Sequence, residues 1–275
     1  MHVRHTIATL IASTGIAAAQ EPAEGPPPSM VETPEQLATR AQNPIANLLN
    51  VGVEFGTDFN AGSNDDAGRY DVRFVPVIPI RLTRDWMVIS RTDLAFEGQD
   101  NTDGMSDVSG LSDTTQSFFV TQPQERPGGL KPNGVSWGAG PAFLLPTSTS
   151  KRLGSGKIGF GPTGTLVEQQ QRLTLGGVVR HMWGFIGDDQ STDVNETYLE
   201  PFLADTIART TLAVNTETTY DWEGDVWTVP INASITQLAF VSGVPVQFSV
   251  GPRWYVTGPD GSPDWGLRAG FSVLQ

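Results

Sequence analysis

Carboxylate pairs at even spacing are the residues of this sequence whose types and positions are best suited to chemistry. The two pairs are Glu196 with Glu200 and Glu217 with Asp221. Two facing carboxyl groups are what hydrolysis of a glycosidic bond requires. Arginines occur on the same polar registers, however, and ion pairs between the two sets are the preferred interpretation. These arginines are Arg73, Arg91, Arg180, Arg253 and Arg268.

Two further motifs resemble enzyme signatures only superficially. The segment 154–157 reads Gly-Ser-Gly-Lys, but a phosphate-binding loop needs Gly and Ser or Thr at the places held by Lys151 and Ile158. His181 could act as a general base, yet it lies on the apolar register of its segment. A histidine there is more often a packing or interface residue than a catalyst. We therefore predict no catalytic residue and no enzymatic activity.

The composition of the chain excludes several classes of function. Its 275 residues include 17 Lys and Arg against 30 Asp and Glu, which gives a formal net charge of −13. This acidic balance argues against a nucleic-acid partner, because phosphate contacts require a basic face. The sequence has 0 Cys, so disulfides, thiolate metal sites, thiol catalysis and a cysteine-linked lipid anchor are excluded. We expect neither a bound metal nor a cofactor.

The first 42 residues are predicted to lie outside the folded domain. Residues 1–19 combine a short basic start, an apolar run and an Ala-Ala-Ala cleavage site before Gln20, as in a signal peptide. Residues 20–42 begin with a stretch rich in Pro, Glu and Gly and are predicted to form a flexible periplasmic segment. Within it, Leu37–Ala41 could form a helical turn. The folded domain is predicted to span residues 43–275.

Strict alternation of apolar and polar residues begins at Asn50 and predicts strands. Val53 and Phe55, for example, alternate with Glu54 and Gly56. The pattern recurs about twelve times, in segments that approach the length of roughly 9–11 residues needed by a transmembrane strand. Charges and glycines on the polar registers indicate a narrow polar lumen. The sequence therefore predicts an all-β fold, an antiparallel transmembrane β-barrel of about 12 strands. A soluble exported β domain is the alternative.

The positions of aromatic residues and the lengths of the connections favour the barrel. Aromatics occur near segment ends, where a membrane interface would lie. They are Trp86, Trp183, Phe185, Tyr220, Trp222, Trp227, Trp254 and Trp265. Predicted outer connections are long, at 60–70, 97–112, 147–156 and 187–193, whereas inner turns are short, at 83–85 and near Asp205-Thr206. The connection at 122–133 is an exception to this rule.

Several short motifs resemble a group of bacterial outer-membrane proteins that is usually labelled transporter or neuromedin U. This group is related to the barrels named for the MetA-pathway of phenol degradation. The motifs lie at 43–46, 76–79, 137–141, 144–147, 215–222, 227–232 and 263–268. The resemblance implies transport of small compounds, with aromatic ones among the candidates, and brings no catalytic motif. Barrels of this kind commonly end in or near an aromatic residue, whereas this chain ends in Leu274-Gln275.

These observations predict a porin-like protein of the outer membrane in a Gram-negative envelope. Two functions stay open: a passive channel for small solutes, and a closed structural or surface-contact barrel without transport. The expected partners are outer-membrane lipids, lipopolysaccharide, the barrel-assembly machinery and small-molecule solutes. The predicted pore-lining residues are Arg91, Arg180, Glu196, Glu200, Glu217, Asp221, Arg253 and Arg268.

Overall fold

The computed structural model describes residues 32–100, 106–123, 125–126, 129–130, 134–187 and 192–275. The predicted signal peptide, residues 1–19, and residues 20–31 of the predicted flexible segment lie outside this described part. One helix, α1 (Pro34–Arg40), precedes the strands. No helix in the described ranges is long and apolar enough to cross a bilayer.

The rest of the described chain is almost entirely β-structure. The strands are β1 (Asn50–Ala61), β2 (Ala67–Arg81), β3 (Met87–Asp100), β4 (Val108–Leu111), β5 (Thr114–Thr121), β6 (Glu125–Arg126), β7 (Gly129–Leu130), β8 (Gly134–Leu145), β9 (Ile158–Gln170), β10 (Leu173–Ile186), β11 (Asn195–Ile207), β12 (Thr210–Thr216), β13 (Thr218–Asp221), β14 (Val226–Val241), β15 (Val244–Thr257) and β16 (Trp265–Leu274).

All of these strands except β6 and β7 form a closed antiparallel barrel of 12 staves, where a stave is one strand or two collinear strands. Strands β6 and β7 form a separate two-stranded sheet. Strands β4 and β5 share one stave beside β3, and β12 and β13 share one stave beside β11. Each stave pairs with the next one along the chain, and β16 pairs with β1 to close the ring. Closure satisfies the edges that an open sheet would expose. The predicted fold class is confirmed.

The two ends of the barrel differ in their connections. At the termini end, where β1 begins and β16 ends, Leu49 and Gln275 exchange backbone hydrogen bonds of 2.8 and 2.9 Å. The tight turn predicted at 83–85 lies here, as does the two-residue turn Ser242-Gly243 with φ of 52° and 85°. The turn expected near Asp205-Thr206 is displaced to residues 208–209, because β11 stays paired with β12 as far as Ile207. The opposite end, called the loop end, has longer connections at 146–157 and 258–264.

The outer wall of the barrel is a belt of exposed apolar side chains. Phe55 is 46% exposed and Val250 is 54% exposed, and most of the outward strand positions resemble them. The neighbouring positions, such as Glu54 and Ser249, line the lumen instead. A continuous apolar surface of this kind is stable in lipid rather than in water. The sequence register, with apolar residues outside and polar residues inside, is confirmed.

Aromatic clusters flank the apolar belt at both ends. At the termini end, the rings of Trp86 and Trp137 lie 6.4 Å apart. At the loop end, the Tyr220 ring lies 4.8 Å from Trp222 and 4.6 Å from Trp227. Amphipathic rings at these heights are typical of the interfaces of a membrane barrel.

Helix α1 starts with a capping box. The Thr33 hydroxyl accepts a 3.2 Å hydrogen bond from the Gln36 backbone N–H, and the Gln36 side chain accepts one of 2.9 Å from the Thr33 backbone N–H. Pro34 at the first helical position suits the helical φ. On its inner face, Leu37 and Ala38 are buried in a cluster that includes residues of the barrel wall. The predicted helical turn is therefore a capped helix.

The segment 32–49, here named the terminal plug, fills the termini end of the barrel. Ile45 is 1% exposed and packs with the inward-facing Met87, Ile89 and Phe119. Residues 32–42 fall within the stretch that the sequence predicts to be flexible, and in the structure they are packed. The apolar side chains that follow the Pro-rich stretch account for this, because they can be buried only inside the barrel.

Polar contacts also hold the terminal plug to the wall. The Gln169 side chain donates a 2.8 Å hydrogen bond to the Thr39 carbonyl. The Asn43 amide donates to Ser136 at 3.1 Å and to Gln169 at 3.3 Å. Buried polar groups are stable only when they are paired in this way. These contacts fix the orientation of the plug in the lumen.

Candidate functional site

Glu217 lies at the centre of the polar lumen. It occupies the gap between β12 and β13, and the pairing with β14 keeps its register across this gap. Its carboxylate meets three guanidinium groups: Arg268 at 2.7 Å, Arg253 at 3.4 Å and Arg73 at 3.5 Å. Such charge-assisted contacts are strong because little water screens them.

Each of the three arginines also contacts a second carboxylate. The pairs are Arg268 with Glu54 at 2.7 Å, Arg253 with Asp58 at 3.4 Å and Arg73 with Asp93 at 3.7 Å. The carboxylates come from β1 and β3, so that the network links staves from opposite ends of the chain. A shared network of this kind restricts the side chains to one arrangement.

Arg253 is the most enclosed member of this network, with 6% of its surface exposed. Its Nε donates to the Asn232 side-chain carbonyl at 3.0 Å, and one Nη donates to the Tyr255 hydroxyl at 3.2 Å. The Tyr255 hydroxyl in turn donates to Asp58 at 2.8 Å. Arg253 is thus a structural cation whose N–H groups point at protein acceptors.

A second group of charges lies on β3, β10 and β11. Arg91 contacts the Glu200 carboxylate at 3.5 Å, and the Tyr198 hydroxyl donates to the same carboxylate at 2.9 Å. Asn215 donates to its other oxygen at 3.4 Å. The guanidinium of Arg180 lies 4.6 Å from the centre of the Tyr198 ring, in a cation–π contact.

Two cavities lie in the lumen formed by the described residues, one on each side of these charges. A cavity of about 330 Å³ lies between the terminal plug and the charges, and another of about 360 Å³ lies towards the loop end. The residues that line both cavities are named the charged layer. They are Arg73, Arg91, Asp93, Val178, Tyr198 and Glu217.

The connection 146–157 folds over the loop-end cavity. Leu153, 6% exposed, lines this cavity. Asp113 anchors the connection by accepting hydrogen bonds from the Ser148 backbone at 3.2 Å and from the Ser155 backbone and hydroxyl at 2.7 and 2.8 Å. The loop end is therefore partly covered by a well-bonded loop.

The structure distributes the eight predicted pore-lining residues over the lumen. Arg91, Glu200, Glu217 and Arg268 line the termini-end cavity, whereas Arg91, Arg180, Glu196 and Glu217 line the loop-end cavity. Arg253 lies within the ion-pair network around Glu217. Asp221 pairs with Glu196 across the strands near the loop end, where it accepts a 2.9 Å hydrogen bond from the backbone of Glu223.

Five further lumen residues are absent from the predicted set of pore-lining residues. They are Glu54, Asp58, Arg73, Asp93 and Tyr198. All five lie on the inward register of their strands, so the alternation of polar and apolar residues is the signal that could have identified them. That signal identifies the face of a strand and not the partner of a residue.

Residues of the two motifs that resemble enzyme signatures form contacts with other side chains of the protein. Ser155, in the candidate phosphate loop, binds an aspartate rather than presenting a free anion site, and Lys157 pairs with Asp193. His181 hydrogen-bonds to the Thr197 hydroxyl at 2.7 Å, and its ring lies 4.1 Å from Trp183. In the described ranges, no group of three or more metal-ligating side chains is close enough to hold a metal ion.

Solved structures show what this barrel is similar to. An outer membrane channel from Pseudomonas putida F1 matches with a TM-score of 0.63 at 13% identity, over 82% of this chain and 95% of that chain. The NanC porin matches with a TM-score of 0.44 at 16% identity, over 82% and 98% of the two chains. An outer membrane phospholipase from Salmonella typhi matches with a TM-score of 0.43 at 11% identity, over 89% and 98%. No family model and no curated protein matches the sequence.

The likeness to the Pseudomonas structure shows the fold. That fold is an outer-membrane barrel, in agreement with the closed antiparallel ring described above. A barrel with this outer surface requires a bilayer around it. The chain is an outer-membrane β-barrel.

Proposed function

We propose that the protein is a passive channel for small solutes across the bacterial outer membrane. The observation that carries this proposal is the pair of cavities, of about 330 and 360 Å³, inside the barrel. Side chains fill barrels of about eight strands, whereas wider barrels leave space for ligands or water. A lumen with space on both sides of a charged layer suits stepwise passage of a small molecule.

The charged layer would act as the selective part of this path. Glu217 is held by three arginines, and Arg91 is held by Glu200. Because each ion has a partner, the layer presents both signs of charge in a fixed arrangement. Rings of charged side chains select among solutes by charge and size. We therefore assign the filter to this layer.

The sequence resemblance supports aromatic compounds as one candidate class of solute. Tyr198 lines the loop-end cavity and offers a ring contact to such a molecule. As surroundings of the barrel, we propose outer-membrane lipids and lipopolysaccharide at the aromatic clusters. Insertion by the barrel-assembly machinery belongs to the same proposal.

Conductance of the purified full chain in planar bilayers tests the channel. We expect discrete current steps, and we expect proteoliposomes to swell in small sugars, amino acids and benzoate. The same amount of heat-unfolded protein is the control. The absence of both current and swelling, with a correctly folded protein, would contradict the channel.

A closed structural barrel is the second candidate function. The observation that favours it is that the terminal plug covers one end and the connection 146–157 partly covers the other. This candidate predicts no current. It also predicts that cells lacking the protein become more sensitive to detergent, since the barrel would then support the envelope.

A further inference from the structure

Arg180 differs from the other inward-facing arginines. Arg73, Arg91, Arg253 and Arg268 each have a carboxylate at 2.7–3.7 Å. In the described part of the chain Arg180 has no ion pair and no hydrogen bond, and its contact is with the Tyr198 ring. Its half-buried side chain lines the loop-end cavity. A guanidinium with unused donors is suited to bind a carboxylate.

Two carboxylates in the same cavity have no cationic partner at ion-pair distance. Glu196 lies on β11, two residues nearer the loop end than Tyr198, which pairs with Arg180 across the strands. Glu97 lies on β3, on the other side of the ring. Among the described residues, neither acid contacts an arginine or lysine closely enough to form a salt bridge.

The remaining charges in the loop-end cavity are already paired. Arg73, Arg91, Asp93 and Glu217 belong to ion pairs. Asp113 accepts three hydrogen bonds from the connection 146–157. The charges left without an ion pair are therefore Arg180, Glu196 and Glu97, although Arg180 acts on Glu196 at longer range and Glu97 hydrogen-bonds to Ser112. A ligand that matches these three groups has the opposite charges.

We propose that the loop-end cavity binds a small amino acid, a solute with one carboxylate and at least one ammonium group. This inference rests on the proposed channel function and names its solute class. The carboxylate would bind Arg180 and an ammonium would bind Glu196, with Glu97 available to a second ammonium. A dibasic amino acid such as lysine is the closest complement. The cavity volume of about 360 Å³ lies in the lower range for small-molecule sites.

Solutes with other charge patterns match the cavity less well. A diamine leaves Arg180 unpaired, and a simple carboxylate leaves both Glu97 and Glu196 unpaired. Desolvating a charge without a partner opposes binding. An uncharged hydrocarbon would leave all three groups unmatched.

Equilibrium dialysis of radiolabelled L-lysine against the detergent-solubilised full chain tests this site. We expect saturable binding that weakens by about tenfold or more in Arg180→Gln, since one charge-assisted interaction is lost. Cadaverine, which is lysine without its carboxylate, should bind Arg180→Gln at least as tightly as the wild type, since the variant no longer places an unpaired cation beside it. Glu196→Gln should weaken the binding of both compounds.

Further variants control for folding and for total charge. Arg172→Gln removes a mostly exposed arginine near the termini end, paired with Asp205, and should leave lysine binding unchanged. Arg180→Lys keeps the charge and should retain most of the binding. Heat-modifiable migration on a gel verifies the fold of each variant.

The outcomes separate this site from channel function, because dialysis does not require an open path. Lysine binding without conductance would contradict the channel and leave the site in place. Conductance without saturable lysine binding would overturn the site, and so would equal lysine binding by the wild type and Arg180→Gln.

Discussion

At the scale of single residues, Glu217 makes more ion pairs than any other described residue of the lumen. The Glu217 carboxylate contacts three guanidinium groups, and the Glu217 side chain is 17% exposed. The arginines Arg73, Arg253 and Arg268 keep other carboxylates, but those contacts do not replace the central negative charge. Selectivity of the proposed channel is therefore expected to be sensitive to this position.

Replacing Glu217 with Gln is expected to shift ion selectivity towards anions. The change removes one negative charge, keeps the shape of the side chain, and leaves three arginines less well compensated. Loss of one partner in a buried ion network typically costs about 3–5 kcal/mol of stability. Reversal potentials in a salt gradient measure the selectivity.

Glu223→Gln is the matched control, since Glu223 is exposed in the connection between β13 and β14. Its reversal potential should equal that of the wild type. Identical selectivity in wild type and Glu217→Gln would remove Glu217 from the path.

At the scale of elements, each strand has one face towards lipid and the other towards the polar lumen. Ile231 and Val250 are exposed on the outer wall, whereas Ser234 and Ser249 on the same two strands line the termini-end cavity. The difference follows from the two-residue period of a strand. This alternation determines at which positions a substituted charge would face the bilayer.

Arginine at Ile231 or Val250 should destabilise the barrel by about 2–4 kcal/mol, because a charge would face the middle of the bilayer. Arginine at Ser234 or Ser249 should cost much less, since those positions face the polar lumen. Denaturant titrations in lipid vesicles, followed by tryptophan fluorescence, measure the difference. Equal losses at both pairs of sites would show that the register is wrong.

The terminal plug is the second element with a testable role. Leu37 is 9% exposed and Ala38 is 0% exposed, so a carboxylate at either position cannot stay in its apolar cluster. Leu37→Asp should release α1 and raise single-channel conductance several-fold. Glu35→Gln, on the exposed side of α1, is the control. Unchanged conductance in Leu37→Asp would show that α1 is not the barrier.

At the scale of the whole molecule, the closed ring makes unfolding cooperative. Every stave is hydrogen-bonded to two neighbours, and the ends of the chain meet where β1 pairs with β16. The exposed belt then requires lipid or detergent at every stage after closure. The closure of the ring and its need for lipid or detergent can each be tested by experiment.

We expect the unheated protein to migrate on a gel at a different apparent mass from the boiled protein, because the closed barrel resists detergent until heated. We also expect it to fractionate with the outer membrane. A periplasmic soluble protein with a signal peptide serves as the control for both measurements. A freely soluble, heat-insensitive monomer would contradict the barrel.

The sequence by itself determined the wall of this barrel. Alternation is a local property, so it placed Phe55 towards lipid and Glu54 towards the lumen without any knowledge of their neighbours. Counting the alternating segments was enough to predict about twelve crossings. The ends of the same segments also predicted where the aromatic clusters lie, at the membrane interfaces.

Only the tertiary structure decided which inward charges meet. Glu217 reaches both Arg268 on β16 and Arg73 on β2 because ring closure brings β16 beside the β1–β2 hairpin. The same closure leaves Arg180 without a carboxylate at ion-pair distance among the described residues, although its sequence register is that of the other arginines. The packing of the terminal plug likewise depended on apolar surface that exists only inside the finished barrel. Contacts between distant staves are set by closure and shear, which a local pattern does not contain.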